Sequence, residues 1–332
     1  MFLDIILLVI SLALILLASI LFTNGIELFG HRLNMHQGAI GSILAAVGTA
    51  LPETIIPVIA ILVYNDAQAK QVGIGAIAGA PFMLGTLAFF VTGAAVLVFA
   101  ALGKRSRHMD MDRDVITRDL TFFIFIYGIA ILTTFIRDWK VVKTIIAAGL
   151  CLSYLLYVRT TMRSECRQTE DVDRLYMARL LGVRESGIWI AVQVILSLAI
   201  MMFGAHVFVG CVTKVATVMG ISAMVLSLFI TPIATELPEK CNSVIWVRKR
   251  KDIMAFGNIS GAMVFQSSFP VAFGVIFTEW DLHGAPMVSA ILTLTSAFII
   301  LMWVKLKRPM NAYILMGGLL FYLAFVGYIL HS

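Results

Sequence analysis

Gly48-Thr49-Ala50-Leu51-Pro52-Glu53 in the first half of the chain returns as Ala234-Thr235-Glu236-Leu237-Pro238-Glu239 in the second. Each copy lies within an apolar stretch and sets a carboxylate directly after a helix-breaking proline. A charged side chain at the centre of a transmembrane helix costs about 2.5–3.5 kcal/mol on insertion scales, so a duplicated one argues for a cation site. A proline kink with structurally paired glutamates is the plainer alternative, and the duplication weighs against it.

The surrounding composition says that lipid is the main solvent. Of 332 residues, 60% are hydrophobic and 13% charged, and the mean hydropathy is +0.96. A soluble fold is excluded on that balance. The cysteines, Cys151, Cys166, Cys211 and Cys241, are far apart and show no CxxC or His-rich spacing, so neither a disulfide framework nor a zinc site is expected. A net charge of +6 would point to nucleic acid in a soluble protein, but here the lysines and arginines fall in loops between apolar runs. That is the pattern of membrane orientation, and no nucleic-acid partner is expected.

A helix rises 1.5 Å per residue and the hydrocarbon core is about 30 Å thick, so apolar runs near 20 residues read as spans. Ten can be drawn: Leu3–Thr23, Gln37–Val63, Val72–Leu102, Leu120–Ile136 and Val141–Val158, then Gly187–Val209, Ile221–Val247, Ile253–Phe277, Met287–Leu306 and Ala312–Leu330. The first reads as a retained helix, because no basic residue precedes Arg32 and no small-residue cleavage site follows the span. Trp139, Trp280 and Trp303 fall near the predicted interfaces and read as belt residues.

The expected fold is an all-α membrane protein of ten transmembrane helices in two inverted five-helix repeats, residues 1–158 and 187–332, joined by a cytoplasmic linker over 159–186. Alternate loops carry nineteen lysines and arginines against five in the opposite set. The basic set marks the cytoplasmic side, which puts both termini outside.

A second pair of segments follows the acidic ones, Gly75-Ala76-Ile77-Ala78-Gly79-Ala80 and Gly257-Asn258-Ile259-Ser260-Gly261-Ala262. Their small residues let helix backbones approach closely. On a helical wheel Ser42, Thr49 and Glu53 share a narrow face, while Thr231, Thr235, Glu236, Glu239, Lys240 and Asn242 fill a broader polar arc. Pro52 and Pro238 each deny one hydrogen bond and crowd the carbonyl four residues earlier, leaving backbone oxygens able to turn toward a ligand. Carboxylates with freed carbonyls suit a hard cation: calcium takes six to eight oxygens in tolerant geometry, magnesium is stricter, and sodium accepts neutral oxygens. Glu27 and His31 near the end of the first helix, and His206 in the sixth, could serve a proton relay or simply be hydrogen-bonded.

The duplicated segments resemble the alpha repeats of the cation/calcium antiporter superfamily, and the chain is similar to prokaryotic sodium/calcium exchangers. The resemblance implies that Glu53 and Glu239 bind the exchanged calcium with the backbone carbonyls of Thr49 and Thr235. Ala50 and Glu236 replace motif serines, Ala80 and Ala262 replace the serines of the second segments, and Leu84 and Gln266 stand at family ligand positions. The candidate cation ligands are therefore Thr49, Glu53, Thr235, Glu236, Glu239 and Gln266. Lys240, one turn after Glu236, either neutralises it or substitutes for a bound cation.

The expected function is secondary antiport of calcium against sodium or protons in the cell membrane. A proton-coupled exchanger of magnesium or another cation, and a non-transporting cation sensor, are the alternatives. The implied partners are inorganic cations and the lipid bilayer. No cofactor is expected beyond transported calcium and sodium ions, and no HExxH or GxSxG motif indicates an enzyme.

Overall fold

The computed structural model describes residues 2–32, 50–64, 66–136, 139–164 and 174–331, and over these it is helical. In chain order the helices are α1 (Phe2–Arg32), α2 (Leu51–Val58, prolonged by a π turn over Ile59–Tyr64), α3 (Ala67–Met83), α4 (Phe89–Ala101), α5 (Arg113–Leu132), α6 (Lys140–Ser164) and α7 (Tyr176–Leu181). They continue as α8 (Gly187–Met219), α9 (Ala223–Thr235), α10 (Leu237–Arg248), α11 (Asp252–Gln266), α12 (Phe269–Phe277), α13 (Ala285–Lys305) and α14 (Ala312–His331). Among the described residues eight helical segments are long and apolar enough to cross a membrane, and two apolar helices, Leu51–Tyr64 and Ala223–Ile233, are shorter. The expectations on Ser42, Gly48 and Thr49, and on the side chains of Glu27, His31 and Asn242, lie outside the described residues.

Several helices outrun their apolar cores. α1 and α8 continue past Thr23 and Val209 to Arg32 and Met219, giving lengths of 31 and 33 residues. At 1.5 Å per residue each measures roughly 47–50 Å, well over the hydrocarbon thickness. Caps explain the discrepancy, because they end a helix where hydropathy does not. Ser186 accepts the Trp189 N–H at the start of α8, and Gly220 closes it at φ 65°, a left-handed conformation that favours glycine. Likewise α5 starts at Arg113, not Leu120, since the Asp112 carboxylate accepts the N–H groups of Asp114 and Val115 at 2.9 and 3.2 Å.

The chain forms two compact units, each drawing on both halves of the sequence: Met1–Gly73 with Leu155–Leu226, and Ile74–Tyr154 with Ser227–Ser332. In the first, α1 lies along α8. A Cβ at Gly204 would come within 2.9 Å of the Ile15 side chain, so glycine is what permits this approach. The buried Gln193 amide donates to the Leu21 carbonyl at 2.7 Å and to Asn24 Oδ1 at 3.0 Å, and its oxygen accepts the Met177 N–H at 2.8 Å. These bonds dock α7, within the stretch 159–186, onto the two long helices. His206 stacks on Tyr64 with ring centroids 4.8 Å apart, and the Tyr64 hydroxyl donates to the His206 carbonyl at 2.9 Å.

In the second unit Arg105 and Asp252 form a bidentate pair with both bonds at 2.6 Å and side chains only 4% exposed. The pair fastens the loop after α4 to the first turn of α11, where a carboxylate also suits the helix dipole. Arg250 donates to the Lys104 carbonyl, Arg113 to the Lys307 carbonyl, and the Met109 N–H to the Met310 carbonyl. Three basic loops, distant in sequence, are thereby joined at one end of the unit.

Trp280 is not a belt residue. It is buried, its indole N–H donates to the Ala130 carbonyl at 2.9 Å, and the ring covers Gly274. Its φ of 50° turns it inward from a loop whose sequence position alone implied an interface. Trp139 is exposed, and Trp303 carries Arg308 over its ring at 5.2 Å.

The small residues of the second segments act as expected at Gly79, where α3 meets α9: an added Cβ would strike the Leu228 carbonyl and lie 2.9 Å from Pro232. Gly79→Val should therefore destabilise the fold by about 1–3 kcal/mol, the range for overpacking. Gly257→Ala, with nothing within 4 Å of the new Cβ, should be neutral. Thermal unfolding in detergent checks the pair, and equal midpoints for both variants would refute the close approach.

Candidate functional site

Proline decides the local backbone at both acidic segments. It lacks an N–H and cannot continue a helix, but it is tolerated in a first turn, where N–H groups have no intrahelical acceptor anyway. α2 accordingly starts at Leu51, with Ala50 as its N-cap at φ −87°, ψ 3°. α10 starts at Leu237, with Glu236 as its N-cap at φ −89°, ψ 9°. The two caps occupy the same place in the duplicated phrase and agree within a few degrees. Glu53 and Glu239 consequently sit at the third position of their helices, within the first turn. The first turn of a helix carries unsatisfied N–H groups and the positive end of the helix dipole, a common place for acidic side chains.

In the first unit Glu53 is buried on α2, and Thr54 Oγ1 donates back to the Ala50 carbonyl at 2.9 Å. Helix α2 packs on α8 and α1.

In the second unit the break falls between α9 and α10, and Thr235, Glu236 and Glu239 are all buried at it. Thr235 Oγ1 donates to the Thr231 carbonyl at 2.9 Å, and the Glu236 N–H to the Pro232 carbonyl at 3.2 Å. Lys240 Nζ reaches back across the break. It stands 3.4 Å from Glu236 Oε2 and 3.4 Å from the Pro232 carbonyl. Thus one ammonium touches both the last turn of α9, through the Pro232 carbonyl, and the cap of α10, through the Glu236 carboxylate.

α11 supports that point from the side. Asn258 Nδ2 donates to the Glu239 carbonyl at 3.2 Å and lies 3.5 Å from Ser243 Oγ, whose own hydrogen bond goes to the Ala255 carbonyl at 3.0 Å. Ser260 Oγ donates to Asp119 Oδ2 at 2.7 Å, and Asp119 also takes Arg118 Nε and Nη2 at 3.1 and 3.0 Å. Asp119 is buried although it stands just before the apolar run that begins at Leu120, and its place at the border of that run is the signal the sequence carries.

The structure brings Thr235, Glu236 and Glu239 to one break. Glu53 stands at the matching position of the other unit. Gln266 ends α11, eight residues beyond Asn258 and so roughly 12 Å further along the axis. It is buried, and neither amide atom has a hydrogen-bond partner among the described residues. An unmet buried amide costs about 1–3 kcal/mol, which marks Gln266 as a group with capacity for a ligand. Thr49 lies outside the described residues. Among the described residues no three His, Cys, Asp or Glu side chains are grouped to hold a metal. A calcium shell here would have to be completed by hydroxyl, carbonyl, amide or water oxygens.

Among the described residues, eight helical segments long and apolar enough to cross a membrane define a membrane protein. The chain belongs to the sodium/calcium exchanger protein family, whose sequence profile matches residues 3–163 and 189–332. The inner membrane protein YrbG of Escherichia coli is 24% identical over 296 residues, covering 86% of this chain and 85% of that protein. The fold is similar to that of the H+/Ca2+ exchanger CAX, with a TM-score of 0.75 at 15% identity over 99% of this chain and 86% of that one. It is also similar to the sodium-calcium exchanger NCX_Mj, with a TM-score of 0.61 at 18% identity over 98% of both chains.

Asn258 touches the backbone of Glu239 without being an acidic ligand, so Asn258→Ala should weaken cation affinity by about tenfold, the lower bound for loss of an outer-shell partner. Calcium titration of purified protein checks this, and an unchanged isotherm would reduce the bond to helix packing.

Proposed function

We propose that the chain is a secondary-active cation antiporter of the cell membrane, in which Glu53 and Glu239 share the transported ion by turns with a driving ion. Calcium is the leading substrate, and sodium or protons drive it. The observation that carries this reading is the matched pair of helix starts at Ala50 and Glu236, each followed by a buried glutamate in the first turn. The exchanger family supplies the chemistry: the relatives of known fold are an H+/Ca2+ exchanger and a sodium-calcium exchanger.

Ten spans in two inverted five-helix repeats, residues 1–158 and 187–332 about a linker over 159–186, would bring the duplicated segments into the membrane from opposite sides. The eight long and two shorter apolar helices supply ten segments for that arrangement. Gathering of the basic loops after α4, α10 and α13 at one end of the second unit favours that end as cytoplasmic, with both termini outside.

Coupling follows from charge. Two ionised glutamates without a cation are costly to carry through a low-dielectric interior, so the empty site resists reorientation and the loaded one does not. Alternating access then exchanges ions rather than leaking them. Alanine at positions 50, 80 and 262 leaves fewer hydroxyl ligands for sodium and favours protons as the driver, with magnesium or another cation as alternative substrate.

Glu53→Gln and Glu239→Gln each keep the side chain's shape and remove the charge a divalent ion needs. Both should abolish exchange in proteoliposomes while inserting normally, tested under separately imposed sodium and proton gradients. Normal flux in either variant would remove the proposed site.

A further inference from the structure

We propose that Lys240 is a built-in cation of the exchange site, its ammonium taking the place that one mobile monovalent ion would otherwise fill. The inference rests on the antiporter reading and adds to it a residue that sets how many ions the site must bind.

The two repeats differ where it matters. Ala50 and Thr54 in the first are Glu236 and Lys240 in the second, so the carboxylate and the ammonium enter together, four residues apart. An ordinary i,i+4 pair lies on a solvated face and contributes a few tenths of a kcal/mol. Here the Lys240 side chain is 10% exposed and that of Glu236 is 0%. Lys240 also reaches the Pro232 carbonyl, eight residues back and across the helix break, which a pair on one continuous helix does not do. One carboxylate oxygen and one backbone carbonyl at a helix C-terminus are the donors a small monovalent cation would use. Both contacts measure 3.4 Å, longer than the 2.7–2.9 Å of a tight charge-assisted bond, so the ammonium fills the place without being locked in it.

Charge then fixes the consequence. On the antiporter reading the ion is shared by Glu53 and Glu239, and these with Glu236 and Lys240 sum to two negative charges, which one divalent ion neutralises. Without Lys240 the sum is three, which one divalent ion does not balance. A Lys240-less protein should therefore need a monovalent ion that the parent does not.

Calcium self-exchange in proteoliposomes tests this with no driving gradient. Radioactive calcium is loaded inside and unlabelled calcium added outside, with either potassium or N-methylglucamine as the sole monovalent cation on both sides. The parent should run at the same rate in both salts. Lys240→Ala, and Lys240→Met with the stem's bulk retained, should run at least tenfold slower in N-methylglucamine and recover with potassium or methylammonium. Glu236→Ala combined with Lys240→Thr removes both charges, and its ratio between the two salts should return to one. A parent that fails to exchange calcium in either salt sinks the reading of calcium as the substrate, on which the charge count rests. A parent that exchanges, with equal rates in both salts for the folded Lys240 variants, overturns the built-in cation and leaves Lys240 a structural partner of Glu236.

Discussion

A proline in the first turn of a helix leaves that helix intact and stops whatever would have run into it. Pro52 and Pro238 impose this asymmetry, and the candidate site depends on it. Because Pro238 offers no N–H, the carbonyl end of α9 cannot pass smoothly into α10, and Glu236 takes up the non-helical angles between them. The third residue of the new helix is then Glu239, buried within its first turn. Because proline has no N–H, Pro238 cannot donate to the carbonyl of residue 234, the bond a continuous helix would make there.

The acidic segments could be read from residues alone because their signal is local. Proline chemistry and a repeated phrase require no knowledge of neighbours, and Gly79 was legible for a related reason, since a residue without a Cβ marks an approach even when the approaching partner is unknown. Other features depended on partners that lie far off in sequence. The lengths of α1 and α8 depend on caps and on each other's support, so apolar runs stopped them early. Asp119 is held by Ser260, 141 residues away, and Arg105 by Asp252, 147 residues away. Charged residues beside apolar runs look like loop ends until their partners are seen. Trp280 misled for the same reason, its inward turn being set by one positive φ and a carbonyl on α5.

The two acidic segments share the backbone angles of their N-caps and diverge in side chains. Where the first has Ala50, Thr54, Ala76 and Ala78, the second has Glu236, Lys240, Asn258 and Ser260. All four of these polar groups are engaged: Glu236 with Lys240, Asn258 with the Glu239 backbone, Ser260 with Asp119. A duplicated scaffold has thus kept one glutamate in each copy while concentrating its adjustable charges in the second.

The central claim is that these two glutamates meet at one cation. Anomalous diffraction from crystals grown with strontium, a divalent stand-in for calcium, tests it most directly. The expected result is a peak within about 2.3–2.6 Å of carboxylate oxygens of both Glu53 and Glu239, the coordination range of calcium-like ions. A strontium peak elsewhere, with both carboxylates bare of ion, would contradict the account.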